Sequence, residues 1–198
     1  MKIVKETRIS EIRTSEEDNV MLIEGYAVKF NEEALIGTEE HGFKEIIVPT
    51  ALDEANMKDV PLKYNHQDNF LVLARTRNKS LKIEIDEVGL KIKATLIDTQ
   101  SNRDIYKMVQ NGLLEKMSFA FTVKEQTWDR SGEIPYRTIL KIDRLYDVSI
   151  VDVPAYEGTS VYARSLELLD SETKALENER IEKQKQIIRK KIKIKGEL

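Results

Sequence analysis

The chain has 198 residues, 40% hydrophobic and 34% charged, which is enough apolar side chain for one globular domain with an appendage. A net charge of −3 offers no global basic field to nucleic acid, and the absence of cysteine excludes disulfides, a thiol nucleophile and thiolate zinc sites. The N-terminus, MKIVKETRISEIR, lacks the apolar stretch of a signal peptide, and no apolar run approaches the roughly 20 residues of a membrane helix, so a soluble cytoplasmic protein is expected.

Taken in order, the body up to about residue 165 reads as mostly strand. NVMLIEGYAVKF is β-rich and gives way to a polar loop through Gly42. FKEIIVP is a short apolar strand stopped by Pro49, and Thr50 then opens a short predicted helix, TALDEANMK, with Thr50 and Asp53 at its cap and first turn. LKIEIDE and GLKIKATLID alternate apolar and charged residues with period two, and the turn around Asp86–Gly89 predicts a hairpin. Ser101 or Thr99 caps a predicted helix through RDIYKMVQNGLL, with Ile105, Met108 and Val109 as its buried stripe and Gly112 as its stop. MSFAFTVKEQT is a strand, WDRSGEIP a turn, and YRTILKIDRL and YDVSIVDVP two returning strands. So much antiparallel pattern with so few helices predicts an α+β, β-dominated fold. The expected architecture is a closed or barrel-like, mostly antiparallel sheet with flanking helices.

The composition changes near Leu166, which divides the chain into a body, residues 1–165, and a tail, residues 166–198. The tail has no proline or aromatic residue and no glycine before Gly196. Its acidic first half and basic second half suit the dipole of a charged helix. It reads either as a solvated, partly disordered helix or as a docking helix for an assembly partner.

Chemistry has few carriers here, because the chain holds only two histidines, His41 and His66. His66 sits in a turn-like segment, YNHQDN, after the apolar VPL. In MSFAFTV, Met117, Phe119, Phe121 and Val123 point one way and Ser118, Ala120 and Thr122 the other. The first face is core; the second is small and polar, as suits a surface over which a substrate lies. Asp147 and Ser149 share one face of YDVSIVDV. If the two strands are neighbours, Ser118 and Asp147 lie close, and a loop-borne imidazole can lean over them. A hydroxyl, a base and a carboxylate are the parts of a serine hydrolase. Each residue also has a plainer reading: a serine tolerated on a strand, an exposed turn histidine, a carboxylate serving a neighbouring cation. Asp68, Asp143 and Asp152 stay open as alternatives to Asp147, and His41 as the alternative imidazole. Two histidines far apart, with no carboxylate cluster at ligand spacing, give little basis for a metal site.

The order of EGYAVKFNE, FKEIIVPTAL, VPLKYNHQ, LKIEIDEVGLKIKATL, LLEKMSFAFTV and LYDVSIVDVPAYEGTSV resembles that of the tailed-phage prohead proteases, capsid-maturation serine proteases related in fold to the herpesvirus assemblins. The resemblance covers roughly residues 20–163. It implies a barrel-like core and an endopeptidase that cleaves scaffold or capsid-protein segments, and itself, inside the immature head in the host cytoplasm. By motif position His66 resembles the family base and Ser118 its nucleophile. Asp147 stands where the family often has glutamate, and Ala74 where many relatives have glycine. The expected partners are the phage major capsid protein and its scaffold segment, with a homodimer or oligomer left open, and with no cofactor, nucleic acid or membrane. The resemblance gives the tail two roles: directing incorporation into the capsid precursor, and self-cleavage within residues 183–195. The competing reading is a non-catalytic assembly module in which these three residues do no chemistry.

Overall fold

The computed structural model describes residues 6–17, 20–69 and 72–152, together with helical positions 181 and 185. Strands form where the period-two pattern gives one apolar face: β1 (Glu6–Glu17), β2 (Val20–Lys29), β3 (Ala34–Ile36), β4 (Phe43–Ile47), β5 (Pro61–Tyr64), β6 (Ala74–Arg75), β7 (Leu81–Ile85), β8 (Gly89–Leu96), β9 (Lys116–Asp129) and β10 (Tyr136–Val151). One α-helix, α1 (Gln100–Gln110), lies between β8 and β9. The β-dominated class is as expected.

The strand order is β3-β4-β10-β9-β1-β2-β8-β7, with β5 added beside β10 and β6 beside β5. β10 is the organising strand. Its β9 edge is antiparallel, while its other edge takes β4 along residues 136–139 and then β5 along 148–150, both parallel. The two strands expected at 136–145 and 146–154 are one strand, bent by register irregularities between Ile139 and Asp147 that keep it paired with β9. β1 links two sheets: residues 6–11 pair with β9 and residues 12–17 with β2. Its dense charges hide the alternation, so the sequence pattern does not mark it as a strand.

The expected closed or barrel-like sheet is corrected. The hydrogen-bonded path is open, running from β3 at one end to β7 at the other. β6 comes up to the start of β7 but is only Ala74–Arg75. The approach is made through a side chain, the Arg75 N–H donating to Ser80 Oγ at 2.9 Å, rather than through a ladder.

Between the sheets lies a continuous apolar core, including Ile23, Leu62, Leu90, Phe119, Phe121 and Ile150. The hairpin at residues 81–96 forms as the alternation predicts, and Asp86 Oδ1 accepts from the Val88 and Gly89 N–H groups to close its turn. Glycine is required at position 89, where a Cβ would come 1.9 Å from the Val28 carbonyl oxygen.

Of the two candidate caps for α1 it is Thr99, whose side chain accepts from the Asn102 N–H at 3.3 Å. Gly112, at φ 72°, follows its end. The buried face is Asn102, Ile105, Tyr106 and Val109; Met108 is 40% exposed, so the expected stripe shifts by part of a turn. The i, i+3, i+4, i+7 spacing of the buried four is the reason. The helix expected from Thr50 is a single 3₁₀ turn, Pro49–Leu52, preceded by Val48 with no side-chain cap. Pro49 at its first position makes Thr50 an internal residue. The proline–alanine pair at 154–155, the domain boundary at 166 and, apart from positions 181 and 185, the tail lie outside the described residues. No described helix is long and apolar enough to cross a membrane.

Candidate active site

The antiparallel register of β9 and β10 sets Ser149 opposite Ser118 and Asp147 opposite Ala120. The parallel register of β5 sets Lys63 beside Ser149 and Tyr64 beside Ile150. β5 therefore ends at the serine–carboxylate pair, and the chain turns there through Asn65 (φ 50°) and His66 (φ 55°). Two successive non-glycine residues in the left-handed region cost about 1–3 kcal/mol each, a strain that persists only where neighbours hold it. Here β10 holds it: the Asn65 N–H donates to the Ile150 carbonyl at 2.9 Å and the His66 N–H to Ser149 Oγ at 3.2 Å. The Asp152 N–H donates to Asn65 Oδ1 at 3.1 Å, and the Tyr64 hydroxyl donates to Asp152 Oδ2 at 2.8 Å. The Tyr64 phenol is held above its ordinary pKa by burial first and then by that hydrogen bond.

So placed, the imidazole lies between hydroxyl and carboxylate. His66 Nε2 is 2.8 Å from Ser118 Oγ, and His66 Nδ1 is 2.5 Å from Asp147 Oδ1. An ionised carboxylate only accepts, so a neutral imidazole carries its hydrogen on Nδ1 and leaves Nε2 to accept from the serine hydroxyl. Asp147 is fully buried, while the His66 side chain is 21% exposed. Lys63 Nζ stands 3.9 Å from Asp147 Oδ2 and 2.5 Å from Asp68 Oδ1.

The structure thus brings together Ser118, His66 and Asp147. The alternative carboxylates are engaged elsewhere: Asp68 with Lys63, Asp143 with the Thr122 hydroxyl, Asp152 with Tyr64. His41 lies in an exposed loop, its N–H donating to Thr38 Oγ1. Two expectations change. The small face of β9 is not open, since Ser118, Ala120 and Thr122 are all buried. Ala74 lies in no turn; it is buried on β6, paired with Leu62. The contacts of Ser149 and Lys63 with Asp147 do not follow from the sequence pattern. Alternation put Ser149 on the Asp147 face, but nothing in the sequence placed β5 alongside.

Against this geometry stand the likenesses to known proteins. Residues 9–172 match the family described as caudovirus prohead serine protease, and the chain belongs to that family. A prohead protease of Escherichia phage T5 is 29% identical over 101 residues, 48% of this chain and 46% of that protein, so the alignment spans about half the length of this curated relative. Among solved structures, the bacteriophage T4 capsid assembly protease aligns over 77% of this chain and 98% of its own, with a TM-score of 0.49 and 12% identity.

Proposed function

We propose that this chain is a serine endopeptidase of phage head maturation, with Ser118 as nucleophile, His66 as general base and acid, and Asp147 as the carboxylate that fixes the imidazole. The observation that carries this reading is the unbroken relay from Ser118 Oγ through the His66 ring to Asp147 Oδ1, at 2.8 and 2.5 Å. Membership of a prohead protease family supports the substrate class in this proposal: scaffold or capsid-protein segments inside the immature head, with the chain itself as a further substrate.

Ser118 Oγ forms a bond to the carbon of the scissile peptide carbonyl as its proton passes to His66 Nε2. The carbonyl π electrons move onto oxygen. Collapse of this intermediate breaks the C–N bond, and the imidazolium returns its proton to the leaving amine. A water deprotonated by His66 then cleaves the acyl–serine ester and restores the hydroxyl. Asp147 stays ionised and offsets the imidazolium charge in a site where burial strengthens that attraction. With Ser118 buried and His66 partly exposed, the substrate approaches along the imidazole edge.

Ser118→Ala is expected to reduce processing by at least ~10⁴-fold while leaving the unfolding midpoint nearly unchanged, because it deletes one oxygen without opening the apolar core. Gel analysis of co-expressed capsid protein reads the cleavage; normal maturation with the variant would reject the reading. We further propose that residues 1–165 form the protease unit and residues 166–198 a tail that directs incorporation into the capsid precursor and is cut by the enzyme within residues 183–195. Mass spectrometry of the matured enzyme tests this, and an intact Leu198 terminus in active particles counts against it.

A further inference from the structure

We propose that Ser149 is a positioning residue of this site, acting through His66 and Asp147 together; the inference rests on the serine-protease reading above. Its hydroxyl is fully buried where three groups converge. It donates to Asp147 Oδ1 at 3.0 Å, accepts the His66 backbone N–H at 3.2 Å, and stands 3.1 Å from His66 Nδ1. A serine hydroxyl has one hydrogen and two acceptor sites, and this geometry uses the hydrogen on the carboxylate and one lone pair on the backbone N–H, while Nδ1, whose own hydrogen is directed at Asp147, lies alongside.

One oxygen therefore ties the left-handed backbone at His66 (φ 55°) to the carboxylate that orients the ring. No covalent bond or regular ladder does this, since the β5 pairing with β10 ends at Tyr64–Ile150, before the histidine. Ser149 is not a second nucleophile. It lies on the Nδ1 side of the imidazole, and the hydroxyl at Nε2 is Ser118. Without the Ser149 oxygen the His66 N–H loses its acceptor and Asp147 loses a donor. The ring is then free to drift from Ser118, and misplacement on the 1 Å scale costs about 100-fold in rate.

The test is the rate at which a fluorophosphonate labels the full chain in assembled head precursors, resolved into a saturating rate and a half-saturating concentration. Ser149→Thr keeps the oxygen, and Ser149→Val has the same shape without it, so any overpacking is common to both. The saturating rate is expected to fall about 10- to 100-fold in Ser149→Val, with the half-saturating concentration within about twofold, and to recover at least half-way in Ser149→Thr. Equal impairment of Thr and Val, or a Val variant as fast as the unaltered chain, would overturn the positioning role. So would a label found on Ser149 by peptide mapping. Ser118→Ala separates the two claims. If Ser118→Ala takes no label and Ser149→Val labels normally, only the Ser149 role fails. If the unaltered chain takes no label, or Ser118→Ala still does, the serine-protease reading falls and the Ser149 role with it.

Discussion

The β9–β10 ladder buries a carboxylate near each end, and the two are held in opposite ways. Toward the hairpin end, Arg137 and Glu45 are both at most 2% exposed and lie in register on parallel strands. The guanidinium donates to Glu45 Oε2 at 2.8 Å, and through Nε and Nη2 to Gln126, and it lies 5.6 Å from the Trp128 ring centroid. Every group sits on a regular strand, and the guanidinium is a rigid planar fork of donors. Toward the other end, Asp147 meets an imidazole on a strained turn, partly open to water. A buried charge whose partners are all fixed specifies register. A buried charge whose partner can gain and lose a proton, and reach solvent, can do chemistry.

The contrast breaks first at Asp147. Asp147→Asn exchanges an acceptor-only carboxylate for an amide whose NH₂ can donate to Nδ1, and the expected loss in turnover is about 10⁴-fold, because the ring can then present the wrong tautomer to Ser118. Loss of processing, with folding checked by circular dichroism, reads it; a variant within tenfold of the unaltered chain would show that the carboxylate does not orient the base. At the far end the effect belongs to stability. Arg137→Leu leaves Glu45 buried without its guanidinium and is expected to cost about 3–5 kcal/mol in denaturant unfolding. The Arg137→Leu/Glu45→Leu double variant should recover most of that loss. If the double variant is no more stable than the single, the pair is more than a charge balance.

A smaller perturbation away from both ends calibrates these two. Thr99→Ala removes the side-chain acceptor at the start of α1 and is expected to cost about 1 kcal/mol with turnover unchanged. Smallest is a third kind of carboxylate, exposed Asp86 in the β7–β8 turn. Its pKa is depressed, first by the Tyr26 hydroxyl donating at 2.7 Å and then, against some desolvation, by the Gly89 and Val88 N–H groups. A carboxyl whose folded pKa lies below its unfolded value adds stability above the unfolded pKa, and that contribution is lost as pH falls through the folded one. Tyr26→Phe should therefore move the Asp86 titration upward, toward the ordinary aspartate range, as followed by NMR. An unchanged titration would make the turn N–H groups the cause instead.

Alternation and caps carried the local reading a long way. The face shared by Ser118, Ala120 and Thr122, the face shared by Asp147 and Ser149, the 81–96 hairpin and a cap at Ser101 or Thr99 all follow from side-chain period and turn chemistry. These properties are set within a few residues of chain. The order of six sequence segments likewise pointed to the family. What could not be read was which strands lie side by side. A strand's pattern says that it has an apolar face, not which edge it joins. So the crossing of β1 between two sheets, the sharing of one β10 edge by β4 and β5, the open path in place of a barrel, and the burial of Arg137 against Glu45 came only from the assembled fold.

The site divides in the same way. The sequence supplied the three candidate groups and the faces that carry two of them. The tertiary structure supplied their convergence, by ending β5 beside Ser149 and forcing Asn65 and His66 into left-handed backbone that swings the imidazole between Ser118 and Asp147. Asn and His tolerate this conformation better than most residues, so the turn-like YNHQDN permits it, but nothing local requires two such residues in succession. It exists because hydrogen bonds from a strand more than 80 residues away hold it there.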